Sequence, residues 1–406
     1  MKKILIFSLA YSPFIGGAEL AVKQITGRIG SDGIRFDMIT LRFDSDLPKF
    51  EKIGNINVYR IGLSKKHPSA EDLVKFPMYF TKVFYPLFAF FQAIKMHRQN
   101  KYDALWPIMS YAGFPALFFK LFYKRNIPFI LTLQEGDSIS HITKRWRIRA
   151  VYPFFKMVFA KADFVQAIST YLGGWARAMG FKGPLEIIPN GVDTKRFARE
   201  YPEKELSELK NKLGKKADDK YLITTSRLVK KNAINDVIKS LKYLPETVKF
   251  IVLGSGPDLD MLQKSAKDES VADRVIFLGM VEYKEIPKYL KISDIFVRPS
   301  LSEGMGNSFI EAMAAGLPVV ATQAGGIADF LFDRERNPDK DPTGWAVGAR
   351  DPRGISEQIK KITDNPEKTE KTVANAKKLA FEKYDWDLIA KDMREKVFSK
   401  ILTKQA

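Results

Sequence analysis

There is no cysteine among the 406 residues, which excludes disulfide frameworks, thiolate metal centres and cysteine nucleophiles. That absence fits a reducing compartment. No stretch of 18 residues is free of charge, so no transmembrane helix is expected. The net charge is +19, yet no nucleic-acid-binding motif accompanies it, and nucleic acid is not expected as a partner. What is present is 45% hydrophobic and 28% charged residues, the balance of a globular chain. Its length calls for two core-forming domains.

Acidic residues are unevenly scarce. Residues 1–195 carry 28 Lys and Arg against 14 Asp and Glu, and the remainder 38 against 33. The basic half also holds two segments, Val74–Arg98 and Ile142–Ala162, in which basic and large apolar residues interleave. One reading is a face that sits on anionic lipid, where apolar insertion and cationic attraction add. The other is a pair of core helices with solvated basic faces.

The opening "KKILIFSLA" fits the charged and apolar regions of a secretory signal. It also heads a series of strand-like runs at 3–9, 36–41, 56–61, 102–108, 128–133, 163–169 and 185–189. Seven such runs alternating with helix-length segments make Lys3–Leu9 the first core strand of a parallel sheet. The chain is therefore expected in the cytoplasm, at the inner face of the membrane if the lipid reading holds. A second series follows at 221–226, 248–254, 274–279, 294–300, 317–322 and 344–347. These divide the chain into an α/β domain over 1–195 and another over 196–383. A last helix, 384–406, should bury one face through Trp386, Ile389, Met393 and Val397.

In open parallel sheets, ligands lie beyond the carboxyl ends of the strands, so unusual residues there are the informative ones. After the run at 221–226 come Arg227 and Lys231, flanking the turn into a helix. An arginine fork and a mobile lysine charge beside a helix N-terminus suit a diphosphate, though two solvated surface cations would read the same way. After the run at 294–300, Glu303 lies in a loop with Gly304 and Gly306, where backbone amides can approach a ligand. A helix then starts near Asn307–Ser308, and its N-terminus would favour a phosphate leaving group. Ser308-x-x-Glu311 also reads as a capping box, which would give Glu311 a purely local role. Neither explanation of Glu311 excludes the other.

"SEGMGNSFIEAMAAGLPVVATQAGG" with its Glu-x7-Glu pair, "SRLVKKN", "IIPNGVDTKRF" and "SPFIGGAE" together resemble family 4 glycosyltransferases of the GT-B fold. That fold is two Rossmann-like parallel-sheet domains facing each other across a cleft, with a final helix returning to the first domain. The resemblance implies a retaining transferase that moves a sugar from a nucleotide-diphosphate sugar to a hydroxyl of a glycan or lipid-linked acceptor, in cell-surface polysaccharide or glycolipid synthesis. It implies an acceptor-binding first domain and a donor-binding second one. Arg227 and Lys231 would hold the diphosphate, Glu303 the sugar hydroxyls and Glu311 the ribose. The backbone of Gly304, Met305, Gly306, Asn307 and Ser308 would complete the donor contacts, with Gly16 and Gly17 approaching from the first domain. The base would lie against backbone near Phe277, Leu278, Gly279 and Val281, with UDP favoured over GDP or ADP.

Many relatives place a histidine in the loop after the run at 128–133, where this chain has Gln134-Glu135-Gly136-Asp137. Gln134 is expected in that role as a neutral hydrogen-bonding group, and Asp137 as a polar contact to sugar or acceptor. No cofactor and no metal are expected: Asp-x-Asp occurs at four scattered places, 44/46, 258/260, 339/341 and 385/387, and the fixed cations take over a divalent ion's task. The competing readings are a nucleotide-sugar epimerase, a sugar phosphorylase and a non-catalytic nucleotide-sugar-binding protein. A glycoside hydrolase built on the two glutamates leaves Arg227, Lys231 and the glycine loop unexplained.

Overall fold

A computed structural model describes the chain except residues 15, 31, 32, 69–71, 73, 74 and 404–406, and the side chain of residue 147. Ile15 of the first glycine loop, Val74 at the head of the first basic-aromatic segment and the end of the last helix thus lie outside the described residues. The chain divides into two compact units, one of Met1–Asn190 with Trp386–Ala406 and one of Gly191–Asp385.

In the first unit the strands are β1 (Lys2–Phe7), β2 (Ile34–Leu41), β3 (Phe50–Ile53), β4 (Ile56–Ile61), β5 (Ala104–Pro107), β6 (Ile130–Leu133), β7 (Phe164–Ala167) and β8 (Leu185–Ile187). One sheet runs β3-β4-β2-β1-β5 and another β6-β7-β8, and isolated parallel bridges Leu105↔Phe129 and Ile108↔Thr132 carry β5 on to β6. Every pairing is parallel except β3 with β4. The sequence reading lacks β3. Its residues alternate between exposed and half-buried, so it has no apolar run; the two-residue Gly54-Asn55 connection, with Gly54 at φ +57°, makes the hairpin.

β1 is fully buried at Ile4, Leu5, Ile6 and Phe7, as a central strand covered on both faces must be. Part of that cover is the C-terminal segment. Trp386, Ile389, Met393, Val397, Phe398, Ile401 and Leu402 share one apolar core with Ile4, Ile6, Phe36 and Trp106. Helix Trp386–Asp392 passes into a π-helical turn, Met393–Phe398, and then into Ser399–Thr403. The wider turn rotates the apolar face, which is why Phe398, Ile401 and Leu402 are buried beyond the four expected positions. The helix begins at Trp386, not at 384, because Tyr384 is committed to the second unit, its ring 6.2 Å from Phe330.

The first basic-aromatic segment is helix Met78–Asn100, which buries Met78, Tyr85, Ala89, Ala93 and Met96 but leaves Phe80, Phe84, Leu87 and Phe91 exposed. The second breaks into short helices at Ile139–Lys144, Trp146–Ala150 and Tyr152–Ala160, with Trp146, Tyr152 and Phe154 outward. A core face and an exposed aromatic face therefore coexist on the same segments.

The second unit is one parallel sheet of β9 (Lys220–Thr225), β10 (Val248–Leu253), β11 (Val275–Gly279), β12 (Ile295–Arg298), β13 (Val319–Ala321) and β14 (Trp345–Ala346), in the order β11-β10-β9-β12-β13-β14. Counted within the unit this is 3-2-1-4-5-6, the Rossmann order, and the chain reverses direction of growth between β9 and β12.

The packing of the C-terminal segment on the first sheet has a direct check. The Phe398 ring lies 4.9 Å from Trp106 and 5.9 Å from Phe36. Phe398→Ala should lower stability by about 3–5 kcal/mol, seen as a lower urea midpoint, while the exposed Lys391→Ala stays within about 0.5 kcal/mol of wild type.

Candidate functional site

The reversal between β9 and β12 opens the sheet edge where a ligand can enter, and the chemistry-bearing loops of the second unit leave from there. After β9 the chain turns through Ser226–Leu228 into a short 3-10 turn, Lys230–Asn232. Buried Leu228 pins this loop, and Asn232 Nδ2 donates to the Arg227 carbonyl at 2.6 Å. The Arg227 side chain is exposed and that of Lys231 half-buried. The Leu301 amide donates to the Lys231 carbonyl at 2.6 Å, so the loops after β9 and β12 are tied together.

A third loop supports them from behind. The Leu228 amide donates to Ser255 O at 2.9 Å. A Cβ at Gly254, which has φ +137°, would stand 1.9 Å from Ser226 O, and one at Gly256 would stand 2.2 Å from Leu228 O. Only glycine fits either place. The Gly254 amide in turn donates to the carbonyl of Gly279 at 2.7 Å, which brings the end of β11 into the same group of strand ends. Phe277, Leu278, Gly279 and Val281 are half-buried there, beside a Met280 that is 77% exposed.

Arg298, the last residue of β12, is 5% exposed and occupies the centre. Its Nη2 donates to Glu303 Oε2 at 3.1 Å, and its Nη1 to Ser308 Oγ at 2.7 Å and to Thr225 O at 3.3 Å. Its guanidinium lies 4.1 Å from the centre of the Phe309 ring, a cation–π contact. Glu303 Oε1 accepts from the Gly304 amide at 3.2 Å, and its carbonyl from Gly326 N at 3.0 Å. Gly304 is buried and the Met305 side chain is in the core at 2% exposure. Among the described residues, Ser226 Oγ, Asn232 Oδ1, Arg298 Nε and Ser300 Oγ are buried without a hydrogen-bond partner. Unsatisfied polar atoms are costly, and these four lie at the ends of β9 and β12 or in the turn after β9.

The helix Asn307–Ala315 takes Gly306 as its N-cap, at φ +90°. This overturns the capping-box reading of Ser308 and Glu311. Ser308 stands inside the first turn and accepts from Arg298, so it is not placed to receive an orphan amide. Glu311 is buried and accepts from Tyr283 Oη at 2.9 Å. Burial pushes its carboxyl up to about 7, against the opposing pull of Tyr283 and of the Arg298 charge. Tyr283 is held by the "IIPNGVDTKRF" segment: Phe197 packs 5.6 Å from its ring and the Arg196 guanidinium 5.5 Å above it. Asn307 Nδ2 donates to Gly191 O at 3.4 Å in the same segment.

The remaining candidates belong to the first unit. Gly16 is the N-cap of helix Gly17–Ile29, and its amide donates to Glu19 Oε2 at 2.8 Å. A Cβ on Gly17 would meet nothing within 4 Å, so local packing does not explain that glycine. Beyond β6, Gln134 turns inward, its Oε1 accepting from Asn190 Nδ2 at 3.1 Å. Asp137 is at the surface on Arg145, at 2.7 Å. The two thus have different surroundings. Between them Glu135, passed over in the sequence, is buried and accepts from the amides of Ser110 at 2.6 Å and Gln134 at 3.0 Å. Burial raises its carboxyl pKa. One Asp-x-Asp, Asp44/Asp46, lies in this unit with His67 between its carboxylates, at 3.6 and 3.3 Å, on the exposed surface.

The sequence reading missed Arg298, Tyr283, Gly254, Gly256 and Glu135. The first carried a signal, a lone arginine ending an otherwise apolar strand; the paired glycines after β10 carried another.

Comparison with known proteins agrees with this architecture. The family model described as "Glycosyltransferase Family 4" matches residues 15–196, and "Glycosyl transferases group 1" matches residues 206–379. An uncharacterised glycosyltransferase of Methanocaldococcus jannaschii is 26% identical over 96% of both chains. A GDP-mannose-dependent phosphatidylinositol monomannoside mannosyltransferase of Mycolicibacterium smegmatis is 30% identical over 55% of this chain and 59% of its own. Among solved structures, sucrose-phosphate synthase from Thermosynechococcus elongatus superposes over 100% of both chains with a TM-score of 0.81 at 19% identity. Anabaena HepE in complex with UDP-glucose does so over 98% of this chain and 100% of its own, with a TM-score of 0.76 at 20% identity. With its two Rossmann-like units and the paired matches that span them, the chain belongs to family 4 of the glycosyltransferases and has the GT-B fold.

Proposed function

We propose that this protein transfers a sugar, with retention at the anomeric carbon, from a nucleoside diphosphate sugar to a hydroxyl of a glycan or lipid-linked acceptor in cell-surface polysaccharide or glycolipid synthesis. The second domain, 196–383, binds the donor and the first, 1–195, the acceptor. The observation that carries this reading is the gathering of Arg227, Lys231, Glu303 and the first turn of helix Asn307–Ala315 on the loops after β9 and β12, with Lys231 tied to Leu301. Bond cleavage builds negative charge on the departing diphosphate. Two cations and a helix N-terminus, carried on loops whose backbones are tied together, stabilise that charge. Glu303 holds hydroxyls of the transferred sugar, Glu311 the ribose, and the strand ends near Gly279 the base. Gly16, Gly17, Gln134 and Asp137 serve the sugar and acceptor from the first domain. No metal is needed in this scheme, because Arg227 and Lys231 do the work of a cation.

UDP is the favoured nucleotide, supported by the structural neighbour solved with UDP-glucose; a relative named as GDP-mannose-dependent keeps GDP in view. The acceptor reading draws on relatives named for lipid products, including the α-monoglucosyldiacylglycerol synthase of Acholeplasma laidlawii, 32% identical over 37% of this chain. A lipid acceptor suits attachment to the inner face of the membrane. Residues 75–162 hold 14 Lys and Arg against three Asp and Glu. Phe80, Phe84, Leu87 and Phe91 recur at helical spacing on one side of helix Met78–Asn100, 36–65% exposed.

A thermal-shift panel of UDP, GDP, ADP and their sugars should raise Tm for one nucleotide, since a ligand that binds only the folded state stabilises it. Arg227→Ala and Lys231→Ala should each weaken diphosphate binding roughly ten- to a hundredfold, the loss expected for a charge-assisted hydrogen bond; wild-type affinity in both would refute the phosphate assignment.

Glu311 makes donor binding depend on pH. Its carboxyl changes charge near pH 7, and the ionised form is the stronger acceptor for ribose hydroxyls. Nucleotide affinity should therefore rise between pH 6 and pH 8 by calorimetry, and Glu311→Gln should lose the part of that rise not due to the phosphate's own titration.

Vesicles containing phosphatidylglycerol should co-sediment the protein in a salt-sensitive way. Phe84→Ser with Phe91→Ser should reduce recovery, and equal recovery on neutral vesicles would remove the electrostatic part of the membrane reading.

A further inference from the structure

Arg298 is a buried charge in a place where an apolar residue would complete the strand. β12 reads Ile295-Phe296-Val297-Arg298, all four buried. A guanidinium so far from water is tolerated only when paired and hydrogen-bonded, and its charged partner is Glu303, the residue already assigned to the sugar. One terminal nitrogen meets Glu303, the other Ser308 and the Thr225 carbonyl, and the flat face rests on Phe309. The glycine loop is shaped to this group: a Cβ on Gly306 would come 2.8 Å from Arg298 Nη2.

We infer that Arg298 is a positioning residue for sugar recognition. It fixes the Glu303 carboxylate, through Oε2, in the one orientation in which the remaining lone pairs are left for hydroxyls of the transferred sugar. A carboxylate has about four acceptor sites; Arg298 takes one and the Gly304 amide another. The fork does not merely neutralise Glu303. It ties its position to the end of β9 and to the first turn of helix Asn307–Ala315, so the sugar contact is held in register with the loops on which Arg227 and the helix N-terminus stand. This inference rests on the reading of Glu303 as a sugar ligand. It separates two parts of the site: Arg298 serves the sugar, and Arg227 and Lys231 serve the nucleotide.

The test compares bare nucleotide with nucleotide sugar by calorimetry, using UDP against UDP-glucose and GDP against GDP-mannose, in wild type, Arg298→Met, Glu303→Gln and the double variant. Measured in a Glu311→Gln background, which removes the carboxyl whose ionisation the Arg298 charge also favours, Arg298→Met should leave the affinity for UDP or GDP within about twofold and shift the ratio of nucleotide-sugar to nucleotide affinity roughly tenfold against the sugar. In the Glu303→Gln background the same substitution should add almost nothing to that ratio, as expected when one residue acts through the other. Arg298→Lys, which keeps charge but loses the fork, should recover part of the ratio, and it carries the test if Arg298→Met does not fold. Equal losses for nucleotide and nucleotide sugar, or full additivity with Glu303→Gln, would show a general structural role and overturn the inference alone. A wild type that binds none of the four ligands, nor ADP or ADP-glucose, overturns the transferase reading as well.

Discussion

The second unit depends on a strand pairing that stops early. β9 and β12 are the central neighbours of its sheet, yet their register runs through only Leu222↔Ile295 and Ile223↔Phe296. Beyond that point the two strands continue to Thr225 and Arg298 without pairing, because the chain leaves them toward connections on opposite sides. The gap is bridged by a side chain: Arg298 donates to the Thr225 carbonyl and carries the link on to Glu303 and Ser308. A parallel sheet with the reversal elsewhere would pair those carbonyls and leave no polar groups to arrange.

The first unit repeats the reversal at β1, which pairs with β2 on one side and β5 on the other. The residues at its strand ends are treated differently. Glu135 is spent on the backbone, its carboxylate joining the amides of Ser110 and Gln134, and Gln134 is engaged with Asn190. These contacts hold the loops after β5 and β6 to each other, much as Leu301 and Lys231 hold those after β9 and β12. Both units bury an arginine near a strand end and bring glycines close to a neighbour: Arg60, near the end of β4, donates to the carbonyls of Pro48 and Ser12, and a Cβ on Gly62, just after β4, would collide with Thr81. The same topology thus carries different side chains at its strand ends: Glu135 and Gln134 in the first unit, Arg298, Glu303 and Ser308 in the second.

Much of this was legible in sequence because parallel strands covered on both faces read as apolar runs. The thirteen runs in the two series correspond to β1, β2, β4 to β8 and β9 to β14. β3 escaped because an edge strand in a hairpin has no buried run to show, only the Gly54-Asn55 turn. The start of the helix at Asn307 was visible, but its cap was not. Ser308-x-x-Glu311 satisfies the spacing of a capping box, and only the φ of Gly306 shows that the helix has already begun one residue earlier. Tyr283 and Glu135 are tertiary facts: each acquires its role from a partner 28 or 25 residues away, and spacing alone gives no hint of either. The π-turn at Met393–Phe398 is similarly set by the core it must meet.

The Glu-x7-Glu pair shows why motif and environment have to be considered together. Glu303 and Glu311 are the same residue type, on one loop and the helix that follows it, and both feel Arg298. Glu303 touches the guanidinium directly and remains partly open to solvent. Glu311 is enclosed, feels that charge only at a distance, and has the neutral Tyr283 hydroxyl as its donor. One carboxylate is therefore matched with a full charge and the other with a dipole. Carboxyl groups whose surroundings differ in this way meet an arriving ligand differently. The difference is made by a single arginine at the end of a strand: moving that charge one residue along β12 would turn it to the opposite face of the sheet, leaving Glu303 without its partner and Glu311 in a still less polar setting.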